Sequence, residues 1–173
     1  DVDYSDTTQT PGAAADHIYR SSDNVSTRNS LDTQRQKFIA ANMQEVHVAL
    51  IQPNEWLNYT RTFPNDRFNV FLRSSGTAAA RVRLDRVTSD RTQANQTTTS
   101  LGTFAIANTG NAGVFAYTPL TDAGGNVAAV SLSGLQTLRL TALAANDNLN
   151  LNFLIFVPAQ VTLPAVSISS PAN

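Results

Sequence analysis

The chain has 173 residues, with 12 Lys and Arg against 13 Asp and Glu, only 14% charged residues and no cysteine, which is long enough for one domain with its own core. A near-neutral balance without a basic run excludes a surface built to neutralise nucleic acid or an anionic membrane. The missing cysteines exclude disulfides, thiolate metal sites and cysteine nucleophiles. Uncharged Thr, Asn, Ser and Gln must therefore cover much of the surface, giving a neutral, hydrogen-bonding exterior. Lys37 is the only lysine, so the other eleven basic residues are arginines. No apolar run approaches the ~20 residues of a spanning helix, and Asp1-Val2-Asp3-Tyr4 has neither region of a signal peptide. A soluble chain without membrane insertion, its export signal already removed, is expected.

The first 44 residues are polar and irregular, with Pro11-Gly12 as a turn signal. Leu31, Arg35, Phe38, Ile39 and Met43 approximate helical spacing over about three turns. From Glu45 the period becomes two. Val46, Val48 and Leu50 alternate with Glu45, His47 and Ala49, and after Pro53-Asn54 a second strand covers residues 56–63. Pro64-Asn65-Asp66 reads as a turn, followed by strands at 67–73, 79–87, 101–106, 114–118, 127–132 and 135–143. In the last strand Leu149, Leu151, Phe153, Ile155 and Val157 face one way, and Asn148, Asn150 and Asn152 the other. Short strands with turn signals about every ten residues and no helical alternation predict an all-β fold, an antiparallel β-sandwich or jelly roll.

Chemistry is sparse in this pattern. His17 and His47 are the only histidines and Glu45 and Glu55 the only glutamates. His47 falls on the polar side of its strand, and both glutamates read as solvated strand-end acids. No Gly-x-Ser-x-Gly, phosphate-cradling glycine loop or His-Glu-x-x-His occurs. The loop acids Asp1, Asp3, Asp6, Asp16 and Asp23 follow no calcium-loop register. Trp56, the sole tryptophan, alternates against Leu57 and Tyr59, and a core position is expected for it. Asn148, Asn150 and Asn152 form a donor and acceptor row suited to hydroxyl-rich ligands.

Asn54-Glu55-Trp56-Leu57-Asn58-Tyr59-Thr60, the strand at 68–73, Gly134-Leu135-Gln136-Thr137-Leu138-Arg139-Leu140, and Asn150-Leu151-Asn152-Phe153-Leu154 ending at Val157-Pro158 together resemble the carbohydrate-binding modules of families 6 and 35, over residues 17–159. The resemblance implies a galactose-binding-domain-like sandwich over residues 1–159. It also implies a non-catalytic module, extracellular or at a cell surface, in a secreted multidomain bacterial protein. Its partner would be a polysaccharide or oligosaccharide, held in end loops by two aromatic rings and an asparagine. The asparagine maps to Asn150, with Asn148 beside it. Leu50 and Ala112 stand where the rings usually lie, so Tyr19, Phe115 and Tyr117 are the substitutes. Structural calcium is the one cofactor the resemblance suggests, although Asn152 replaces the usual aspartate. Residues 160–173 form a linker, and Val166-Ser167-Ile168-Ser169 resembles the start of an immunoglobulin-like repeat. The same tail offers a strand for self-association, the basis of an alternative role as a structural or assembly module.

Overall fold

The computed structural model describes residues 3–5, 25–30, 32, 34, 35, 37, 40, 41, 45–145 and 149–159. The expectations for His17, Tyr19, Asn148, most of the N-terminal acids and the tail 160–173 lie outside the described residues. Among those described, nine strands form: β1 (Tyr4–Ser5), β2 (Thr27–Asn29), β3 (Val46–Val48), β4 (Trp56–Ser75), β5 (Ala80–Val87), β6 (Thr98–Ile106), β7 (Ala116–Thr121), β8 (Ala129–Ala144) and β9 (Asn150–Pro158). All named pairings are antiparallel, in the order β2-β3-β9-β4-β7-β6-β5-β8, and β8 returns to β4. The expected all-β sandwich is the fold.

Two long strands generate it. The turn expected at Pro64-Asn65-Asp66 is instead a bulge inside β4, because Phe63 pairs with Gly134 and Asp66 with Leu132. β4 thus spends one more residue there than β8. Pro64 has no N–H to give to a ladder, and Gly134 at φ 65° takes a conformation a side chain would oppose, so both strands bend together. The predicted strands at 127–132 and 135–143 merge for the same reason into β8. Beyond the bend, the halves join different layers. The front sheet contains β2, β3, β9, the second half of β4 and β7; the back sheet contains β1, the first half of β4, the second half of β8, β5 and β6. β6 and β7 join the layers on one side through Thr103↔Thr121 and Phe104↔Leu120.

Alternation fills the space between. Leu72, Val82, Leu84, Phe104, Leu120, Leu138 and Leu140 are buried from both sheets, each such side chain contributing about 1.5–3 kcal/mol relative to exposure. Near the bend, Phe156 packs against Phe63 with ring centroids 5.0 Å apart and edge-on against Phe68 at 6.1 Å.

The last strand departs from its expected alternation. Arg73 pairs with Phe153 and Ser74 with Leu151, which leaves Asn152 as an extra residue. Leu149 and Leu151 are core, but after the bulge Leu154 and Phe156 pack inward. Phe153 turns out toward Arg73, and Val157 is exposed. The asparagine row is broken by the same step. β1 and β2 arise in the segment expected to be irregular, too short for periodicity to reveal. Of the expected helix, Lys37 and Ala40 are helical and the Ala41 N–H bonds the Lys37 carbonyl at 3.1 Å.

Candidate functional site

Two clusters carry the polar chemistry of the described residues. The first lies on the outer side of the front sheet, at the end where Asn150, Phe115 and Tyr117 were expected to meet a ligand. Arg73 is its centre and is buried. Its guanidinium forms an ion pair with Asp32, lies 3.7 Å from Glu45 Oε1, and stacks 4.6 Å from the Phe115 ring centroid. Tyr117 and Phe153 flank it at 5.8 and 5.6 Å. Arg35 pairs with Glu45 and lies over Phe153, while Gln34 Oε1 accepts the Phe115 N–H at 3.1 Å. Asp32, Gln34 and Arg35 thus hold the cluster shut.

The structure gathers three of the expected site residues here. Asn150 is buried and donates to Ser75 Oγ at 3.2 Å, and Ser75 Oγ in turn donates to the Ala112 carbonyl at 2.7 Å. Phe115 is 4% exposed and Tyr117 54%, so only the second ring is open to solvent. His47, expected on the polar side, is buried with its ring 5.8 Å from Phe115. Val48 pairs with Leu151 and packs on the core, so His47 does point to the outer side, but there Phe115 and Asn150 cover it instead of solvent. Burial and the Arg28 charge lower the His47 pKa to about 4, against an opposing pull from the Asn150 amide. Glu45 and Glu55 are not solvated strand-end acids either: Glu45 pairs with Arg35, and Glu55 is buried, its Oε2 accepting the Gln52 N–H at 2.9 Å.

The second cluster covers the outer side of the back sheet, and sequence reasoning missed it. Trp56 is not core. Leu57 takes the inward position, and Trp56 is half-buried on the outer side with Arg139 stacked 3.7 Å from its ring centroid. Pairing places Trp56 opposite Thr141 and Asn58 opposite Arg139, and β5 adds Arg83 beside Thr141 and Asp85 beside Arg139. Arg139 Nε donates to Asn58 Oδ1 at 2.9 Å and its Nη2 to Gln96 Oε1 at 2.6 Å. Asn58 Nδ2 donates to the same Gln96 oxygen at 2.8 Å. Gln96 is itself pinned, its Nε2 donating to the Arg91 and Gln93 carbonyls at 2.8 and 3.0 Å. Asp85 is buried and accepts from Arg83 Nε at 2.7 and 2.9 Å. Thr60 and Thr137 share a hydroxyl hydrogen bond of 2.8 Å. Beside Thr137 lies a polar hollow of about 180 Å³, also lined by Ser89, Asp90, Arg91 and Gln136. The available signal was Thr137, Arg139 and Thr141 alternating with Leu138, Leu140 and Ala142.

A third feature is apolar. A cavity of about 330 Å³ between the layers is lined by Tyr59, Arg61, Phe63, Leu138, Leu154 and Phe156 among others, with Asn152 at its wall. Both polar atoms of that amide are shielded and unpartnered. Calcium needs six to eight oxygen ligands, and the residues around Asn152 are chiefly leucine and phenylalanine, so they do not fit it. Among the described residues no group of three or more His, Asp or Glu side chains is placed to hold a metal ion, and no helix is long and apolar enough to cross a membrane.

No protein-family profile matches the sequence, and no curated protein matches it either. Solved structures do. A β-1,3-glucan-binding family 6 carbohydrate-binding module from Bacillus halodurans is 18% identical, with TM-score 0.55 over 77% of this chain and 85% of that one. The C-terminal family 6 module of the marine laminarinase LamC from Zobellia galactanivorans is 16% identical, with TM-score 0.54 over 80% of this chain and 91% of that one. A family 43 arabinoxylan arabinofuranohydrolase from Bacillus subtilis, solved with cellotetraose, is 14% identical with TM-score 0.58 over 79% of this chain, which spans only 25% of the enzyme. The chain therefore shares the β-sandwich fold of these family 6 carbohydrate-binding modules.

Proposed function

We propose that this domain is a non-catalytic glycan-binding module of a secreted, multidomain bacterial protein, and that it holds its ligand on the outer side of the back sheet. The observation that carries this is the Trp56 and Arg139 stack within an array of amides and hydroxyls at Asn58, Gln96, Thr60 and Thr137. A sugar ring offers a flat apolar face and a rim of hydroxyl groups. A ring held by a cation and surrounded by fixed donors and acceptors meets both demands without new ordering on binding. No acid pair of a hydrolase is needed for that task. Fold likeness to family 6 modules supports the same reading.

The end loops are the second proposed location, because Tyr117 is 54% exposed with Phe153 6.3 Å away. Affinity electrophoresis through soluble xylan, laminarin and hydroxyethylcellulose separates the two. Trp56→Ala is expected to weaken retardation about tenfold or more, the scale of one lost aromatic anchor, while Tyr117→Ala leaves it unchanged. The reverse ranking moves the site to the end loops.

A further inference from the structure

The second cluster is electrostatically unfinished. Its strands present Arg81, Arg83 and Arg139 on one side of the sheet with Asp85 as their only strand carboxylate. Arg83 takes that carboxylate through two short contacts. Arg139, half-buried, feels Asp85 across the strands but shares that carboxylate with Arg83, and its own hydrogen bonds and stacking go only to two neutral amide oxygens and an indole ring. Its Nη1 makes no hydrogen bond and no ion pair among the described residues. In the covering loop Asp90 is balanced by its neighbour Arg91 and has its Oδ1 occupied by the Thr92 N–H and hydroxyl at 2.9 and 2.8 Å. A cation held partly out of water by neutral dipoles gains most from an anion, and a planar guanidinium recognises carboxylate or sulfate oxygens through its fork. Arginine, not lysine, fills every basic position of this side.

We infer that the ligand of this face is an acidic glycan, its carboxylate or sulfate oxygens received by Arg139 with Arg83 and Arg81 supporting the charge, while Trp56 contacts the adjoining sugar ring. This rests on the glycan-binding function proposed above and names its ligand class.

Trp56 is the only tryptophan, so its emission reports this site and no other. Titration with oligogalacturonate, with its methyl-esterified form, and with dextran sulfate against dextran tests the inference. The expected result is an emission change with the free acid or the sulfated polymer that is about tenfold weaker, or absent, with the neutral counterpart. The free acid acting alone identifies carboxylate, and dextran sulfate acting alone identifies sulfate. Arg139→Gln should abolish the preference. Arg139→Lys should keep part of it, since charge survives but the fork does not. Arg67→Gln, which removes one exposed charge elsewhere, should change nothing. Equal response to charged and neutral partners, unaltered by Arg139→Gln, overturns the inference while leaving glycan binding intact. No response to these glycans, together with no retardation by the neutral polysaccharides above, overturns both.

Discussion

Arg73 and Arg139 are each stacked on aromatic rings and each reaches across strands, yet they stand in opposite electrostatic settings. Arg73 is buried, ion-paired with Asp32, close to Glu45, and enclosed by Phe115, Tyr117 and Phe153. Arg139 is half-buried, hydrogen-bonds only amides and stacks on one indole, and the one carboxylate near it, Asp85, is bound by Arg83. Burial and the neighbouring Arg83 lower its pKa, with Asp85 opposing, although it stays charged at any ordinary pH. One arginine has its counterion built into the chain and is closed to visitors. The other has dipoles that orient it without neutralising it, the condition of a group kept for an outside partner. The same residue type thus serves as a structural fastener on one side of the sandwich and as a receptor on the other.

The largest effect should come from breaking the first side. Arg73→Gln leaves Asp32 charged and buried, which costs about 3–5 kcal/mol and lowers the melting temperature by roughly 10 °C in a domain of this size. Thermal unfolding followed by circular dichroism measures it, and a shift below about 3 °C would remove the fastener role. Acid should act next, through His47. Its folded pKa of about 4 lies below its ordinary 6.5, so the unfolded chain binds the proton more readily. Stability is then complete above about pH 6.5 and declines as pH falls toward 4, by up to about 3 kcal/mol from this group. His47→Gln should flatten that part of the melting profile; an unchanged slope assigns the acid sensitivity elsewhere. The smallest effect belongs to Arg139. Arg139→Gln should cost only about 1 kcal/mol of stability, because its partners are neutral and can rebond to water. A loss as large as that of Arg73→Gln would erase the contrast between the two sides.

Periodicity made the fold legible, since Val82, Leu84, Leu138 and Leu140 announce their inward faces unambiguously. It failed where one residue is added. Pro64-Asn65-Asp66 has the composition of a turn, and the same residues suit a bulge whose partner strand bends at Gly134. Asn152 hides more completely, because a polar residue at every second position is what an uninterrupted strand would show. The end cluster was legible in part: Asn150, Phe115 and Tyr117 do converge, but Asp32 lies far away in sequence and its pairing with Arg73 follows no local rule. The Trp56 side was illegible because alternation leaves open which of two half-apolar faces turns inward. Leu57 and Leu140, neighbours across β4 and β8 and both buried, settle that question only in three dimensions.

β4 and β8 are paired along twelve positions that run through the bend and so through both layers. The two layers are therefore joined by continuous backbone as well as by the side chains packed between them. The layers cannot slide or part like two sheets of paper glued together; traction on one is transmitted covalently into the other. Under load or heat such a domain yields as one unit, in a single step.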